Sequence, residues 1–151
     1  MRQRRKAREV ALQVLYQLDV LKIDVKEAVD LFWNNFDAPD EVRTFSSLLI
    51  EGTWLNVDEI DSLISSSSEN WSIARMSKVD KNILRMAVYE LLYCHDIPPK
   101  VTLNEAIDLG KVYGSENSGS FINGILDALY ARLRKKDADQ DIIASTGYAE
   151  L

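Results

Sequence analysis

The sequence predicts an all-α protein, a compact bundle of about seven helices arranged in two helical halves. Apolar residues recur at steps of three and four, which is the spacing of a helix face. Helix-breaking residues fall between these stretches, at Pro39, at Pro98-Pro99 and at Gly114. No segment shows the alternation of a half-buried strand. At 151 residues, the chain is long enough to bury one hydrophobic core.

Two amphipathic segments open the chain. The first contains a single apolar stripe that begins at Ala7, and the second is predicted over residues 25–35. The residues expected to face the core are Ala7, Val10, Ala11, Val14, Leu15, Leu18 and Leu21 in the first helix, and Ala28, Val29, Phe32 and Phe36 in the second.

A third helix is predicted to start at Asp40, directly after Pro39, and to pass through Phe45, Leu48, Leu49 and Gly52. Two continuations fit the pattern equally well. Asn56, followed three residues later by Glu59, is able to cap a separate fourth helix. Alternatively, the third helix continues to about Ser65. In either case, the polar run from Ser65 through Asn70 is expected to divide the N-terminal helical half from the C-terminal half.

The second half is predicted to contain three helices with recognisable boundaries. Ser77 and Asp80 resemble a capping box for a helix that ends before Pro98-Pro99. Thr102 and Glu105 form a second capping box, for a short helix that ends at Gly114 as its C′ glycine. The apolar positions expected in the first of these helices are Ile83, Leu84, Ala87, Val88, Leu91 and Leu92.

The last helix is predicted to begin at Phe121, after a loop over residues 115–120, and to end at the basic residues Arg134, Lys135 and Lys136. Its apolar face comprises Phe121, Ile122, Ile125, Leu126, Leu129 and Leu133. Residues 1–136 are therefore expected to form one domain. Residues 137–151 are polar and acidic, and we expect them to form a mobile tail.

Charge is distributed unevenly along the chain. The net charge is −6, but a basic cluster of Arg2, Arg4, Arg5, Lys6 and Arg8 contains no acidic residue. The rest of the chain holds 13 basic and 24 acidic residues, a net charge of −11. Because an acidic body repels phosphate, a nucleic acid would have to bind at the basic cluster. The cluster is equally compatible with a solvated helix start.

Composition alone disfavours several classes of function. No apolar run approaches the roughly 20 residues of a membrane span, and polar residues from Glu9 to Asp19 interrupt any signal-peptide core. We therefore expect a cytoplasmic protein. The chain has one cysteine, Cys94, and one histidine, His95. It therefore cannot form an intramolecular disulfide or a cysteine-based zinc site. The side chains of these two residues diverge by about 100° on a helix, so we expect no catalytic residues and no cofactor.

Three stretches of the sequence, in their order and spacing, resemble the NusB family. The first comprises Arg4-Arg5-Lys6-Ala7-Arg8-Glu9 and continues over residues 11–16. The second covers residues 79–92 and leads into Asp96-Ile97-Pro98. The third runs over residues 100–114 and then from Ser120 to Asp127. Together they extend from residue 4 to about residue 134, although residues 20–75 match the family only in hydrophobic outline.

The resemblance implies a non-catalytic factor of bacterial transcription antitermination. In that family the protein pairs with a small-subunit ribosomal protein, also called NusE. The pair binds the single-stranded boxA RNA element and helps RNA polymerase to pass terminators, chiefly on ribosomal RNA operons.

The resemblance also assigns roles to individual residues. Arg4, Arg5 and Arg8 are expected to form one cationic patch on a helix face, with Arg2 and Lys6 beside it. Phe121 is expected to lie against the RNA, with polar contacts from Asn117 and Ser118. The alternative for Phe121 is an aromatic core position beside Ile125.

Tyr16, Asp80 and Lys81 are expected to contact the ribosomal-protein partner, although Asp80 also fits a capping role. Asn123-Gly124 is interpreted as structural, with the glycine permitting a close helix crossing. Trp33, Trp54 and Trp71 are expected to fill the core.

Two other functions remain open. One is a helical protein-interaction module without RNA affinity. The other is an accessory domain of an RNA methyltransferase, which the start at Met1 and the end near Leu151 disfavour. Both a monomer and a homodimer are compatible with the sequence.

Overall fold

The computed structural model describes residues 2–68 and 72–150, with the backbone alone for Arg2 and for residues 139–150. Within these ranges the chain forms seven α-helices, one short 3₁₀ helix and no strand, which confirms the all-α prediction. The helices are α1 (Arg2–Leu21), α2 (Val25–Asn35), α3 (Asp40–Leu55), α4 (Val57–Ser67), α5 (Lys78–Tyr93), α6 (Pro99–Tyr113) and α7 (Ser118–Glu150), and the 3₁₀ helix is Ile73–Arg75.

Helix α5 is the centre of the molecule. Every residue from Asp80 to Glu90 is buried, since α1, α3, α4, α6 and α7 all pack around it. A helix that is surrounded on all sides needs partners for its charged residues as well as its apolar ones. Around α5, α1 packs against α3 in one half, and α6 packs against α7 in the other.

The apolar stripe of α1 is buried as predicted from Ala7 to Leu18. Leu21 is the exception. It is exposed because α1 ends there, and Lys22 turns the chain with a φ of 56°.

Helix α2 has the predicted bounds, and the Asp24 carboxylate caps it by accepting a hydrogen bond from the Glu27 backbone N–H. Phe36 follows the helix and is exposed, so its predicted core position is wrong. Leu48 on α3 is likewise exposed.

The chain between residues 40 and 67 forms two helices that meet at Asn56, which decides between the two predicted continuations. Asn56 does not cap α4 with its side chain. Instead, its Nδ2 donates to the Gly52 carbonyl oxygen at 2.7 Å, at the end of α3.

Helix α5 begins as predicted, with the Ser77 Oγ accepting the Asp80 backbone N–H at 3.1 Å. Helix α6 begins three residues before the predicted capping box, at Pro99, because proline has a suitable φ for the first helical position and needs no hydrogen-bond acceptor there. Thr102 and Glu105 therefore lie inside α6, where their side chains contact other helices.

Gly114 directly follows α6, but its φ of −93° is not left-handed, so the predicted C′ conformation is wrong. Gly114 is needed here because a side chain at this position would not fit. A Cβ there would lie 2.3 Å from the Ser118 Oγ. Helix α7 then begins at Ser118, three residues before the predicted start.

Helix α7 also continues to Glu150, past its predicted end at Lys136. Residues 137–146 contain neither proline nor glycine, and extending an existing helix costs little. The mobility predicted for residues 137–151 stays a prediction. Met1, residues 69–71 and Leu151 lie outside the described residues, and they include Asn70 and Trp71 of the sequence analysis.

Among the residues that were searched, no helix has both the length and the apolar character that a membrane crossing requires.

Candidate nucleic-acid interface

The basic cluster lies on the first turns of α1, and three of its arginines, Arg4, Arg5 and Arg8, face acidic residues of α5, α6 and the turn between them. The Arg4 Nη2 lies 3.5 Å from the Asp96 Oδ2 in an exposed pair. The same guanidinium lies 4.5 Å from the centroid of the Phe45 ring. Arg4 is therefore oriented by an aromatic face and by one weak ion pair.

Arg5 is held by two carboxylates of α6. Its Nε and Nη2 donate to Glu105 Oε2 and Oε1 at 3.1 and 3.2 Å, and Nη2 also donates to Asp108 Oδ2 at 3.2 Å. The hydrogen bond and the charge of Glu105 raise the pKa of Arg5. Its side chain is 54% exposed, so part of the guanidinium faces solvent.

Arg8 is buried, with only 3% of the residue exposed. Its Nε and Nη2 donate to the two carboxylate oxygens of Glu90 at 2.9 and 2.7 Å, and Thr102 Oγ1 donates to the same carboxylate at 3.1 Å. Burial lowers the pKa of Arg8, but the hydrogen bond and charge of Glu90 outweigh it and raise the pKa. The predicted patch of three exposed arginines is therefore wrong at Arg8, which points into the helix interface.

The exposed cations of the basic cluster are Arg4, Arg5 and Lys6. Lys6 is exposed, and no ion pair of its ammonium is found with the side chains that the structure describes. The side chain of Arg2 lies outside the described residues.

Phe121 and Asn117 meet in a groove of about 260 Å³ between the start of α7, the start of α5 and the 3₁₀ helix. Phe121 is partly buried and packs against the core, so it has features of both predicted roles. Asn117 is exposed. Ser118 is 1% exposed, and its Oγ accepts the Ser115 backbone N–H at 2.8 Å. This burial contradicts the prediction that Ser118 contacts RNA, because its hydroxyl stabilises the loop before α7.

Asp80 lines the same groove as Phe121. The residue is 8% exposed, and its Oδ1 has no hydrogen-bond partner among the described residues. Ser77, which caps α5 through the Asp80 backbone, also lines the groove. Asp80 was predicted to contact the partner, but the structure brings it to the groove of Phe121.

Lys81 is also buried, so its predicted position on a partner-facing surface is wrong. Its Nζ lies 2.8 Å from Asp19 Oδ2, and Arg85 pairs with Asp19 at 3.7 Å and with Asp61 at 2.7 Å. Burial raises the pKa of Asp19, but the hydrogen bond and charge of Lys81 outweigh it and lower the pKa. The sequence analysis missed this network because its residues are 24 to 66 positions apart.

Tyr16 is 41% exposed and lines a second groove, of about 490 Å³, between α1, α2 and the end of α6. The aromatic rings of Phe32, Phe36 and Tyr113 line it as well. The Tyr113 hydroxyl donates to the Glu9 carboxylate at the groove. Phe36 was missed as a surface residue because an aromatic in an amphipathic segment is normally assigned to the core.

Cys94 is buried, and burial, followed by the charges of Glu90 and Asp96, raises the pKa of its thiol to about 11. The thiol is therefore protonated at neutral pH and is a poor nucleophile.

The NusB family model matches residues 5–131. The transcription antitermination protein NusB of Syntrophus aciditrophicus (strain SB) is 70% identical over 142 residues, which cover 94% of this chain and 88% of that protein. Among solved structures, T. maritima NusB has a TM-score of 0.76 at 40% identity and covers 83% of this chain and 89% of its own. A second structure contains the antitermination factors NusB and NusE in complex with dsRNA. It matches with a TM-score of 0.74 at 32% identity, over 87% of this chain and 98% of its own. A match over most of the folded chain, in sequence and in structure, shows that this chain belongs to the NusB family.

Proposed function

We propose that the chain is an RNA-binding transcription antitermination factor. It binds a single-stranded boxA-type RNA together with NusE, the small-subunit ribosomal protein, as part of an RNA polymerase antitermination complex in the cytoplasm, and it acts on ribosomal RNA operons. The observation that carries this proposal is the exposed cationic edge of Arg4, Arg5 and Lys6 on a protein of net charge −6. A solved relative, the NusB–NusE complex with dsRNA, supports both partners.

The exposed edge has the chemistry that phosphate binding requires. Arginine donates from a planar fork that matches a phosphate, and lysine adds a point charge. Phosphate contacts position a nucleic acid without reading its sequence. The sequence preference is therefore assigned to the groove of Phe121 and Asn117, where an aromatic ring and an amide are available for an unpaired base.

The apolar groove around Tyr16 is the proposed contact for NusE. Its lining of exposed and half-exposed aromatic rings has the composition of a protein–protein interface core. Asp80 lies in the Phe121 groove and Lys81 is buried against Asp19, so Tyr16 is the one residue of the three that is proposed to contact NusE directly.

The test is a triple variant, R4A/R5A/K6A, titrated with a labelled boxA-type RNA in the presence and absence of NusE. Removing three phosphate-facing charges is expected to weaken binding by about tenfold or more. The matched control is K26A/K135A/K136A, which removes three exposed cations from other helices and is expected to change affinity by less than about threefold. Circular dichroism should show the same helical content for all three proteins.

The two competing functions give different results in the same titration. A protein-interaction module would bind NusE and show no preference for the boxA-type RNA over an unrelated strand. An accessory domain would bind RNA equally well without NusE. Equal losses in the triple variant and its control would also contradict the proposal. Sedimentation of the unbound protein decides between a monomer and a homodimer.

A further inference from the structure

The two carboxylates that hold Arg5 differ in exposure and in geometry. Glu105 has a side chain that is 10% exposed, and its two oxygens accept from Nε and Nη2 along one edge of the guanidinium. Asp108 has a side chain that is 50% exposed, and a single oxygen accepts from Nη2 at 3.2 Å. Glu105 therefore fixes the plane of the guanidinium, while Asp108 lies at its solvent side.

We propose that Asp108 competes with RNA phosphate for Arg5 and thereby sets how tightly the protein binds RNA. This inference rests on the proposed function and adds a residue to it. Glu105 acts as a positioning residue that presents the guanidinium, and Asp108 is displaced when a phosphate binds.

The competition follows from the number of donors on Arg5. A bidentate phosphate needs two parallel N–H groups from one edge of the guanidinium. Glu105 occupies the edge formed by Nε and Nη2. The remaining edge is formed by Nη1 and Nη2, and Asp108 accepts from Nη2, the nitrogen that the two edges share. A phosphate on this edge must therefore replace the Asp108 carboxylate and overcome its charge.

The same arrangement disfavours weak, non-specific binding of polyanions. A strand that makes few other contacts gains little by exchanging one carboxylate for one phosphate. A strand that is also held at the Phe121 groove and by NusE has the additional binding energy needed for the exchange. We therefore expect Asp108 to reduce the affinity for an unrelated strand at least as much as the affinity for boxA-type RNA.

The experiment compares D108N with D30N, using labelled boxA-type RNA and an unrelated RNA of equal length, in the presence of NusE. Asp30 is exposed on α2, and no ion pair of it is found with the described side chains, so D30N matches the change in net charge. D108N is expected to bind both RNAs about two- to fivefold more tightly, the scale of an exposed ion pair. D30N is expected to change affinity by less than about 1.5-fold. Circular dichroism checks that both variants are folded.

A third arm places D108N in an R5A background, where its effect is expected to disappear. If D108N still tightens binding without Arg5, the effect is general electrostatics and the inference is wrong. If D108N weakens binding, Asp108 holds Arg5 in place and does not compete. If D108N behaves like D30N while R4A/R5A/K6A loses affinity, this inference alone fails. If the wild-type protein prefers neither RNA, the proposed function itself fails.

Discussion

Arg4 and Arg8 are four residues apart on α1, yet their guanidinium groups lie in different environments. Arg4 forms an exposed pair with Asp96 at 3.5 Å, whereas Arg8 forms a buried bidentate pair with Glu90. An exposed pair contributes little to stability, while breaking a buried pair leaves an uncompensated charge in the interior. Arg8 therefore contributes to the stability of the fold, whereas Arg4 is available for the proposed contact with RNA.

Replacing Arg8 with alanine is expected to destabilise the protein by about 3–5 kcal/mol, because the Glu90 carboxylate stays buried without its partner. Urea denaturation gives the free energy of unfolding. The control is K6A, an exposed neighbour whose effect should stay within about 0.5 kcal/mol. A loss of less than about 1 kcal/mol for R8A would mean that Glu90 finds another partner or becomes neutral.

Replacing Phe121 with alanine is expected to weaken RNA binding by about 1–3 kcal/mol, the contribution of one base stacked on an aromatic ring. NusE binding should persist, as pull-down with NusE would show. The matched variant F36A removes an exposed ring from the Tyr16 groove, and we expect it to weaken NusE binding instead. If F121A unfolds the protein, Phe121 is a core residue, and the proposal that this groove binds an RNA base is contradicted.

At the scale of helices, Gly52 allows α3 to approach α5 closely. A Cβ on Gly52 would lie 2.1 Å from the Tyr89 ring, so any side chain there displaces a residue of the central helix. Gly124 was predicted to have this role, and that prediction is wrong. A Cβ on Gly124 meets no atom within 4 Å, because it lies on the exposed side of α7.

The two glycines form a matched pair for mutagenesis. Gly52→Ala is expected to cost about 1–3 kcal/mol through overpacking against Tyr89. Gly124→Ala is expected to be neutral or to stabilise the helix by up to about 1 kcal/mol, since alanine has the higher helix propensity. Thermal denaturation followed by circular dichroism compares both with the wild type. If Gly52→Ala stabilised the protein, α3 and α5 could separate without a loss of stability, and the overpacking argument would be contradicted.

The contact between α1 and α5 should depend on pH through Asp19. Its pKa is lowered in the folded state from an ordinary value of 3.8, so its ion pairs stabilise the fold fully above that value. This contribution is lost as the pH falls from 3.8 through the lower, folded value.

The difference in unfolding free energy between wild type and D19N should therefore be large at neutral pH and should shrink as the pH falls below 3.8. Urea denaturation at several pH values measures it. D30N, which removes one negative charge from an exposed position on α2 with no ion pair among the described residues, is the control for the change in net charge. A difference between wild type and D19N that is constant with pH would contradict the assignment of Lys81 as its stabilising partner.

At the scale of the whole molecule, the charge separation predicts the salt dependence of RNA binding. With Arg8 buried, the cations that reach solvent among the described side chains of the basic cluster are Arg4, Arg5 and Lys6. At about 0.7 counterions released for each phosphate contact on a single strand, log K against log salt should have a slope of about −2. Anisotropy titrations over a range of salt concentrations measure it. A slope near −3 would require a fourth contact, and a slope near zero would exclude phosphate binding at this surface.

Membership of the NusB family also decides the question of catalysis. The family is one of antitermination factors and not of enzymes, which confirms the prediction that the chain carries no active site.

Outside the basic cluster, the chain has a net charge of −11. This negative charge repels phosphate and therefore disfavours non-specific contact between RNA and the rest of the surface.

The sequence by itself determined the helices, the bounds of α2, the starts of α3 and α5, and the family. These depend on local patterns, such as the stripe of α1 and the Ser77 cap of α5, which the chain expresses within a few residues. The residues that carry the family resemblance lie in the same helices. The position of the basic cluster is likewise a property of the sequence alone.

Only the tertiary structure decided what each charged side chain does. Whether an arginine on α1 is exposed or buried depends on which acid lies opposite it, and Glu90, Asp96, Glu105 and Asp108 are about 80 to 100 residues away in the chain. The spacing of Thr102 and Glu105 indicated a local helix cap. In the structure, Thr102 instead donates to Glu90, and Glu105 accepts from Arg5. Local spacing sets which face of a helix a residue is on, whereas burial and charge pairing are set by whatever helix packs against that face.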